Sequence, residues 1–300
     1  MRWIGKALTG ILILIGTTYV VFFLFRLMMI NRPFELKYSD WIINVFRGDF
    51  GTTFRGRESV IDTIRTPIIR TLILNTSAFA VSVIVSIPIG ILSTMGRSSF
   101  SKYFIMLFTA LATAVPAYII GLFLIYNLSP LINWFPINGM RSLLFQVRGY
   151  DNIWQEIGDI VRHMILPVFS MSVVMVGTFV PFIRNALLEV MHQDYIRTAK
   201  AKGLGSKSIL FKHALRNAIL PFISLASMML PGLIMSNIFI ETVFRWPGIG
   251  LMFIEALYHY EINLVTTIVL FYAVLTLAGS YLSEFLSARM DPRVMEDLSV

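Results

Sequence analysis

The chain contains no cysteine, which excludes disulfides, thiolate metal sites and cysteine nucleophiles while leaving the compartment open. Charge is scarce as well. Asp, Glu, Lys and Arg make up 14% of the 300 residues, where soluble domains carry about 25%. The chain has no H-E-x-x-H, no G-x-S-x-G and no carboxylate pair inside an apolar run, so no catalytic constellation is visible and no enzyme is expected. Gly205-Ser206-Lys207-Ser208 resembles part of a phosphate loop, but Ser206 stands where G-x-x-x-x-G-K-[ST] requires glycine, and no strand precedes it. Few ionisable residues sit at mid-run depth, which argues against a proton- or ion-coupled carrier. His163, His192, His213 and His259 are scattered, so hydrogen-bonded or interfacial imidazoles are expected rather than metal ligands. Low-complexity tracts and internal repeats are not apparent.

What the chain does have is apolar length. Hydrophobic residues make up 56%, with 24 Phe and 16 Met, which describes a polytopic helical membrane protein. Six runs, roughly 7–30, 71–95, 103–128, 164–184, 218–240 and 262–286, approach or exceed the length of a crossing helix. Such a helix needs about 20 residues to cover ~30 Å of hydrocarbon. Pro88, Pro116, Pro167, Pro181, Pro221 and Pro231 fall in these runs. Because neighbouring helices can pair the freed carbonyls, none of the six runs is demoted on that ground. The first run follows Arg2 and Lys6, but it is too long for a signal peptide core and no small-residue cleavage site follows, so a retained span is expected.

A net charge of +8 invites a nucleic-acid reading, but the basic residues flank the apolar runs, as orientation and headgroup contact require. With the N-terminus inside, segments 1–6, 96–103, 184–217 and 287–300 hold 13 of the 25 Lys and Arg. Most of that support lies in 184–217. The outer segments are then 31–69, with Gly48-Asp49-Phe50-Gly51, and 129–163, with Trp134 and Trp154 at headgroup level. Residues 241–261 are too polar to cross and read as a turn followed by a short interfacial or re-entrant helix. Small residues recur at four-residue spacing at Ala78, Ser82, Ser86 and Gly90, and again at Gly279, Ser283 and Ser287. Such stripes serve close helix packing, within the chain or at a subunit interface.

The segment between the fourth and fifth runs carries the most information. Leu187, Val190 or Met191, Tyr195 and Ala199 recur at helical spacing, with Arg197, Lys200 and Lys202 on other faces. Gly203 suits a left-handed C-cap, and Ser206 can cap a second helix with Ile209, Leu210, Phe211, Ala214 and Leu215. Physics alone leaves two readings open: a basic helix on anionic headgroups, or a docking element for a protein whose groove closes over Ala199, Ala201 and Gly203.

Asp194 to Leu204 resembles D-Y-[VI]-R-T-A-[RK]-A-K-G-L, and His213 to Pro221 resembles H-x-L-R-N-A-x-x-P, the coupling loop of type I ABC importer permeases of the oligopeptide, dipeptide and nickel branch. Three further blocks agree. Gly48-Asp49-Phe50-Gly51-Thr52-Thr53 resembles G-D-[LF]-G-x-S of the first of two paired permeases. Glu241 to Phe244 with Trp246 to Gly250 resembles E-x-[VI]-F-x-x-P-G-[LI]-G, and Met290-Asp291-Pro292-Arg293-Val294 resembles L-D-P-R-[IV]. Together they cover the chain from about residue 44. Two departures lie on the outer side: a shortened segment after the first run, and Tyr258-His259-Tyr260-Glu261 where an R-D-Y-P-like sequence is common.

The resemblance implies an all-α membrane protein of six transmembrane helices in the type I ABC importer permease fold, with a cytoplasmic coupling-helix hairpin between spans four and five. It implies an N-terminal helix over 1–30, an extracytoplasmic segment over 31–70, a permease domain over 71–287 containing the coupling loop 185–217, and a cytoplasmic tail over 288–300. Asp194, Tyr195, Arg197, Thr198, Ala199, Ala201, Lys202, Gly203, Leu204, His213 and Arg216 are its ATPase-coupling positions. Gly48, Asp49, Gly51, Glu241, Phe244, Pro247, Gly248 and Gly250 are its outer motif positions. No catalytic or metal residue is implied, and substrate-binding residues are not identifiable. The implied partners are a second homologous permease, two ATPase subunits that hold ATP and Mg, an extracytoplasmic substrate-binding protein and membrane lipid, without nucleic acid. No cofactor is expected on this chain itself. The implied location is a bacterial or archaeal cytoplasmic membrane with both termini cytoplasmic. Peptide is the expected cargo, with nickel, glutathione or another solute of the branch as alternatives. The reading from a different class is a stand-alone carrier or channel.

Overall fold

The computed structural model describes residues 2–28, 37–53, 57–95, 98–127, 135–233 and 237–290. Among them helix is the only extended regular element, and one isolated antiparallel bridge joins Thr52 to Ser59. This is what hydrocarbon demands, since a helix satisfies every backbone donor and acceptor within its own segment.

Helices α1 (Arg2–Met28), α3 (Val60–Met95), α7 (Ile153–Met191) and α13 (Ile262–Met290) contain four of the expected spans. A nine-residue helix, α2 (Tyr38–Phe46), lies between α1 and α3. Helices α3 and α7 start well before the apolar runs at 71 and 164. Hydropathy marks only the part that can lie in hydrocarbon, whereas backbone pairing continues through polar turns such as Asp62–Arg65 and Asp159–His163.

Proline divides the remaining two runs, contrary to expectation. Pro88, Pro167, Pro181 and Pro221 do sit inside helices. Pro116 does not: run 103–128 is two helices, α4 (Ser99–Ala114) and α5 (Ala117–Asn127), bent by 100°. Val115 is extended at φ −97° and ψ 123°, the conformation that a following proline ring favours. Run 218–240 is also interrupted. Helix α10 (Leu215–Met229) ends in a 3₁₀ turn, Leu230–Leu233, at Pro231-Gly232, because proline lacks a donor and its ring clashes with the carbonyl four residues back. The apolar crossing stretch there shifts to Ser206–Ala226. Among the described residues, five helical stretches are therefore long and apolar enough to cross, or six if the bent α4–α5 pair is one span.

The chain forms two compact units, 1–73 with 231–284, and 74–230 with 285–300. In the first, Phe22 and Phe25 of α1, Trp41 of α2, Val60 and Ile64 of α3 and Val265 and Ile268 of α13 share one core. In the second, Phe179, Ile183 and Leu187 of α7 pack on Ala214, Ala218 and Phe222, and the rings of Phe79 and Phe222 each stand edge-on to Phe179. The stripe at Ala78, Ser82, Ser86 and Gly90 is buried inside this unit. Ser172 Oγ donates to the Ala78 carbonyl at 3.0 Å, and a Cβ on Gly90 would lie 2.7 Å from Ile183 Cγ2. That stripe is intramolecular packing. Gly279 is buried, whereas the side chains of Ser283 and Ser287 and residues 291–294 of the tail block lie outside the described residues, as does Trp134. Leu8, Leu12 and Leu24 of α1 and Phe100, Tyr103 and Phe104 of α4 face outward, as lipid-facing surfaces do.

Candidate functional site

The 185–217 hairpin is two helical arms joined by a glycine-capped turn. Helix α7 stops at Met191, His192 and Gln193 turn the chain, and α8 (Asp194–Ala201) restarts with a new phase. That break overturns part of the expected apolar face. Tyr195, placed there with Leu187 and Ala199 by spacing, is 41% exposed, and Ile196 takes the fully buried position. Ile196 and Ala199 pack against Ile209, Leu210 and Ala214 of the returning arm. Tyr195 Oη accepts from Asn217 Nδ2 at 2.8 Å, which fixes α8 to the start of α10. Asp194 lies in the first turn of α8, where the helix dipole favours a carboxylate. Its ion pair with Arg197, at 3.4 Å, is exposed and weak.

The end of α8 is a Schellman cap. Gly203, at φ +78°, donates to the Lys200 carbonyl at 3.0 Å, and the Leu204 amide donates to the Ala199 carbonyl at 3.3 Å. Ser206 does not cap the second arm. Gly205 is the extended N-cap, Ser206 is already the first residue of α9 (Ser206–Ser208), and no side chain caps it. A π-helical turn, Ile209–Ala214, then leads into α10. Residues 200–207 are exposed without interruption. Asp194, Tyr195, Arg197, Thr198, Ala201, Lys202, Gly203 and Leu204 thus share the outside of one hairpin with Arg216, while Ala199 is buried beneath them and His213 is half-buried. The spacing does not reveal Ile196 or the Tyr195–Asn217 pair.

The outer motif positions gather in the first unit around two polar nodes. Helix α2 ends in a second Schellman cap: Gly48, at φ +83°, donates to the Val45 carbonyl and the Asp49 amide to the Asn44 carbonyl, both at 2.9 Å. Asp49 Oδ1 then accepts from the Gly51 amide at 2.9 Å. Gly51 (φ +80°) could carry no side chain, since its Cβ would lie 2.8 Å from Asn263 Nδ2, which donates to the Thr52 carbonyl at 3.2 Å.

The second node is Glu241, fully buried in the short helix α11 (Ile238–Val243). Its carboxyl accepts from Thr71 Oγ1 at 2.7 Å and from the Gly250 and Leu251 amides at 2.7 and 3.1 Å. Thr71 Oγ1 in turn accepts from the Ile249 amide at 3.0 Å. These are the orphan donors at the start of α12 (Ile249–Tyr258). The N-cap Gly248 has no side chain to meet them, and a Cβ there would lie 2.5 Å from both Glu241 Oε2 and Thr71 Oγ1. Phe244 and Trp246 are buried beside this node, Trp246 Nε1 donates to the Arg70 carbonyl at 3.1 Å, and Arg70 Nη1 to the Pro247 carbonyl at 3.5 Å. The expected turn and short helix over 241–261 are therefore present, and Thr71 and Asn263 are the partners that spacing could not supply.

A third polar cluster went unsignalled in sequence. Asp159, buried near the start of α7, accepts from the Ser142 amide and the Tyr150 hydroxyl, each at 2.8 Å, and from Ser142 Oγ. It ties α7 to the loop carrying α6 (Leu143–Arg148). Burial first, and the Asp159 hydrogen bond second, push the Tyr150 phenol up to about 12. His163 and His192 donate through Nδ1 to the carbonyls of Asp159 and Leu188. Among the described residues no three metal-ligating side chains converge.

Comparison with known proteins agrees with this architecture. Residues 86–296 match the family of binding-protein-dependent transport system inner membrane components. The oligopeptide transport system permease protein AppB of Bacillus subtilis is 33% identical over 266 residues, covering 88% of this chain and 82% of the relative. OppB of Haemophilus influenzae is 30% identical, with the same two coverages. The di/tripeptide permease DppB of Pseudomonas aeruginosa is 28% identical over 275 residues, again at 88% and 82%. The fold also matches a chain of the inward-facing MetNI methionine ABC transporter at a TM-score of 0.55 and 15% identity, covering 76% of this chain and 96% of that one. The chain belongs to the binding-protein-dependent transport system inner membrane component family, as a type I ABC importer permease of the branch that these oligopeptide and dipeptide permeases represent.

Proposed function

We propose that this chain is a peptide-importing permease subunit that forms half of a translocation pathway with a second, homologous permease. It catalyses no reaction. Two ATPase subunits, which hold ATP and Mg, dock on the exposed side of the 194–204 helix, and an extracytoplasmic binding protein delivers oligopeptides or dipeptides to the opposite side. Both termini lie in the cytoplasm. The observation that carries this reading is the build of the hairpin: α8 is buried on one side through Ile196 and Ala199, tied to α10 through Tyr195 and Asn217, and bare over residues 200–207.

A partner can shift a conformational equilibrium only through contacts that differ between the states. A loose loop would absorb the movement, whereas an arm clamped to two long helices passes it on. The names of the relatives support peptide as the cargo.

Ala201 is exposed, so Ala201→Glu leaves the fold intact while placing a carboxylate on the docking surface. Gly203→Pro demands a φ near −65° where the chain has +78°, and destroys the cap. Both variants are expected to abolish peptide-stimulated ATP hydrolysis in proteoliposomes of the assembled importer, with membrane insertion unchanged. Wild-type stimulation in Ala201→Glu would overturn the docking assignment.

A further inference from the structure

The returning arm of the hairpin holds charge that the coupling reading does not use. Between Asp194 and Glu241 the chain has no acidic residue, while Lys207, Lys212 and Arg216 are all exposed. The arm is two-sided. Ile209, Leu210 and Ala214 are buried in one core with Ile196 and Ala199 of α8, whereas Phe211, next to Lys212, is left 58% exposed. Cations beside an exposed aromatic ring, above a buried apolar side, are the build of a segment that lies at a bilayer surface.

Position separates this arm from the docking helix. Residues 200–207 form the tip, midway along the chain between the end of α7 and the start of α10. Lys212 and Arg216 stand at the other end, where the chain passes into α10 and the apolar crossing stretch Ser206–Ala226 has already begun. A charge inside hydrocarbon is costly, so cations in the first turns of a crossing segment hold those turns at headgroup level. Four-residue spacing places Lys212 and Arg216 one turn apart, and Arg216, Leu220 and Ile223 follow on one face of α10, all exposed. The exposed apolar line of the crossing helix therefore ends on the cations without a break.

From this arrangement we infer that the returning arm binds anionic phospholipid headgroups of the leaflet on the hairpin's side, Lys212 and Arg216 at the phosphates and the Phe211 ring among the glycerol and upper acyl carbons. The inference goes beyond the coupling reading, which uses the 194–204 helix. The two sides of one hairpin then have different partners, protein on α8 and lipid on the returning arm.

The test uses the assembled importer reconstituted in phosphatidylcholine. The chain has no native cysteine, so Phe211→Cys gives it a single labelling site for a bimane fluorophore. Quenching is followed as phosphatidylglycerol or phosphatidylcholine with a nitroxide high on the acyl chain is titrated in. Phosphatidylglycerol is expected to quench at a mole fraction at least tenfold lower than phosphatidylcholine. Each basic residue near an anionic surface is worth about fivefold in affinity. Lys212→Gln is accordingly expected to reduce the preference about fivefold, and Lys212→Glu tenfold or more, with the ATPase subunits still bound. Equal quenching by the two lipids, or a preference indifferent to Lys212→Glu, overturns the inference. Quenching by neither lipid until the ATPase subunits are stripped away also overturns it, and assigns the arm to the protein interface. Ala201→Glu separates the two readings: it is expected to keep the phosphatidylglycerol preference while losing coupling. Retained coupling in that variant overturns the docking assignment and leaves the lipid result standing.

Discussion

Removing the Glu241 carboxyl tests how the short helix α12 is held. In Glu241→Ala the amides of Gly250 and Leu251 lose their acceptor and Thr71 Oγ1 loses the group it donates to. Each buried group left unpaired costs ~1–3 kcal/mol. Water entering the space left by the side chain offsets part of this, so a net loss of about 3 kcal/mol is expected for the α11–α12 corner. Glu241→Gln keeps an acceptor oxygen and is expected to lose about half as much. Gly248→Ala should resemble Glu241→Ala, because its Cβ would lie 2.5 Å from both the Glu241 carboxyl and the Thr71 hydroxyl. The corner is a local unit, so amide hydrogen exchange by mass spectrometry over residues 246–258 is a better reporter than global melting. A loss of 3 kcal/mol of local stability corresponds to about a hundredfold faster exchange, at 1.4 kcal/mol per decade. Exchange over 246–258 within threefold of wild type in Glu241→Ala would refute the capping role, whatever the variant does to transport.

Two further outcomes follow from the second unit. Gly177→Ala in α7 gains about 1 kcal/mol of helix propensity, but its Cβ would lie 2.9 Å from the Thr109 carbonyl and 2.8 Å from Thr113 Cγ2 of α4. Overpacking of that kind costs ~1–3 kcal/mol, so a lower melting temperature is expected for the purified protein, and a higher one would mean that propensity decides. The Tyr150 phenol, raised to about 12, is neutral through the physiological range. The stability tied to its raised value is complete below the ordinary pKa near 10 and is lost as pH rises through about 12. Asp159→Asn should bring the phenol back toward 10 in an ultraviolet titration read against Tyr150→Phe, and an unmoved midpoint would show that burial alone sets it.

The helical architecture was legible because hydrocarbon permits few alternatives, and apolar length is a direct reading of that constraint. Where the reading failed, the reason is local. All six prolines looked equivalent as letters, yet Pro88, Pro167, Pro181 and Pro221 sit in continuing helix while Pro116 and Pro231 end one. Pro231 is followed by Gly232, which weakens the helix further, a signal available in the sequence. Pro116 has no such neighbour, and nothing in its run separates its 100° bend from the helix that continues through the other prolines. The phase error at Tyr195 has the same origin. Helical spacing from Leu187 to Ala199 assumes one continuous helix, but the break at His192 and Gln193 moves the buried position to Ile196.

The motif positions were legible as letters for a reason that becomes physical only with their partners in place. Among the described residues, four helix ends carry the same pair of cap bonds: Gly48 after α2, Gly203 after α8, Arg245 after α11 and Tyr260 after α12. Glycine marks the first two in sequence. Arg245, at φ +47°, and Tyr260, at φ +57°, give no such signal, although an ordinary side chain there costs about 1 kcal/mol or more. Tertiary structure supports the strain. The residue after Arg245 is Trp246, fully buried and bonded to the Arg70 carbonyl, and the residue after Tyr260 is the buried Glu261. A cap followed by an anchored side chain does not depend on glycine, whereas the exposed turn at Gly203, with no atom within 4 Å of its would-be Cβ, has no anchor and does. The glycine that reads most clearly in this sequence therefore marks an exposed turn whose left-handed backbone rests on glycine itself.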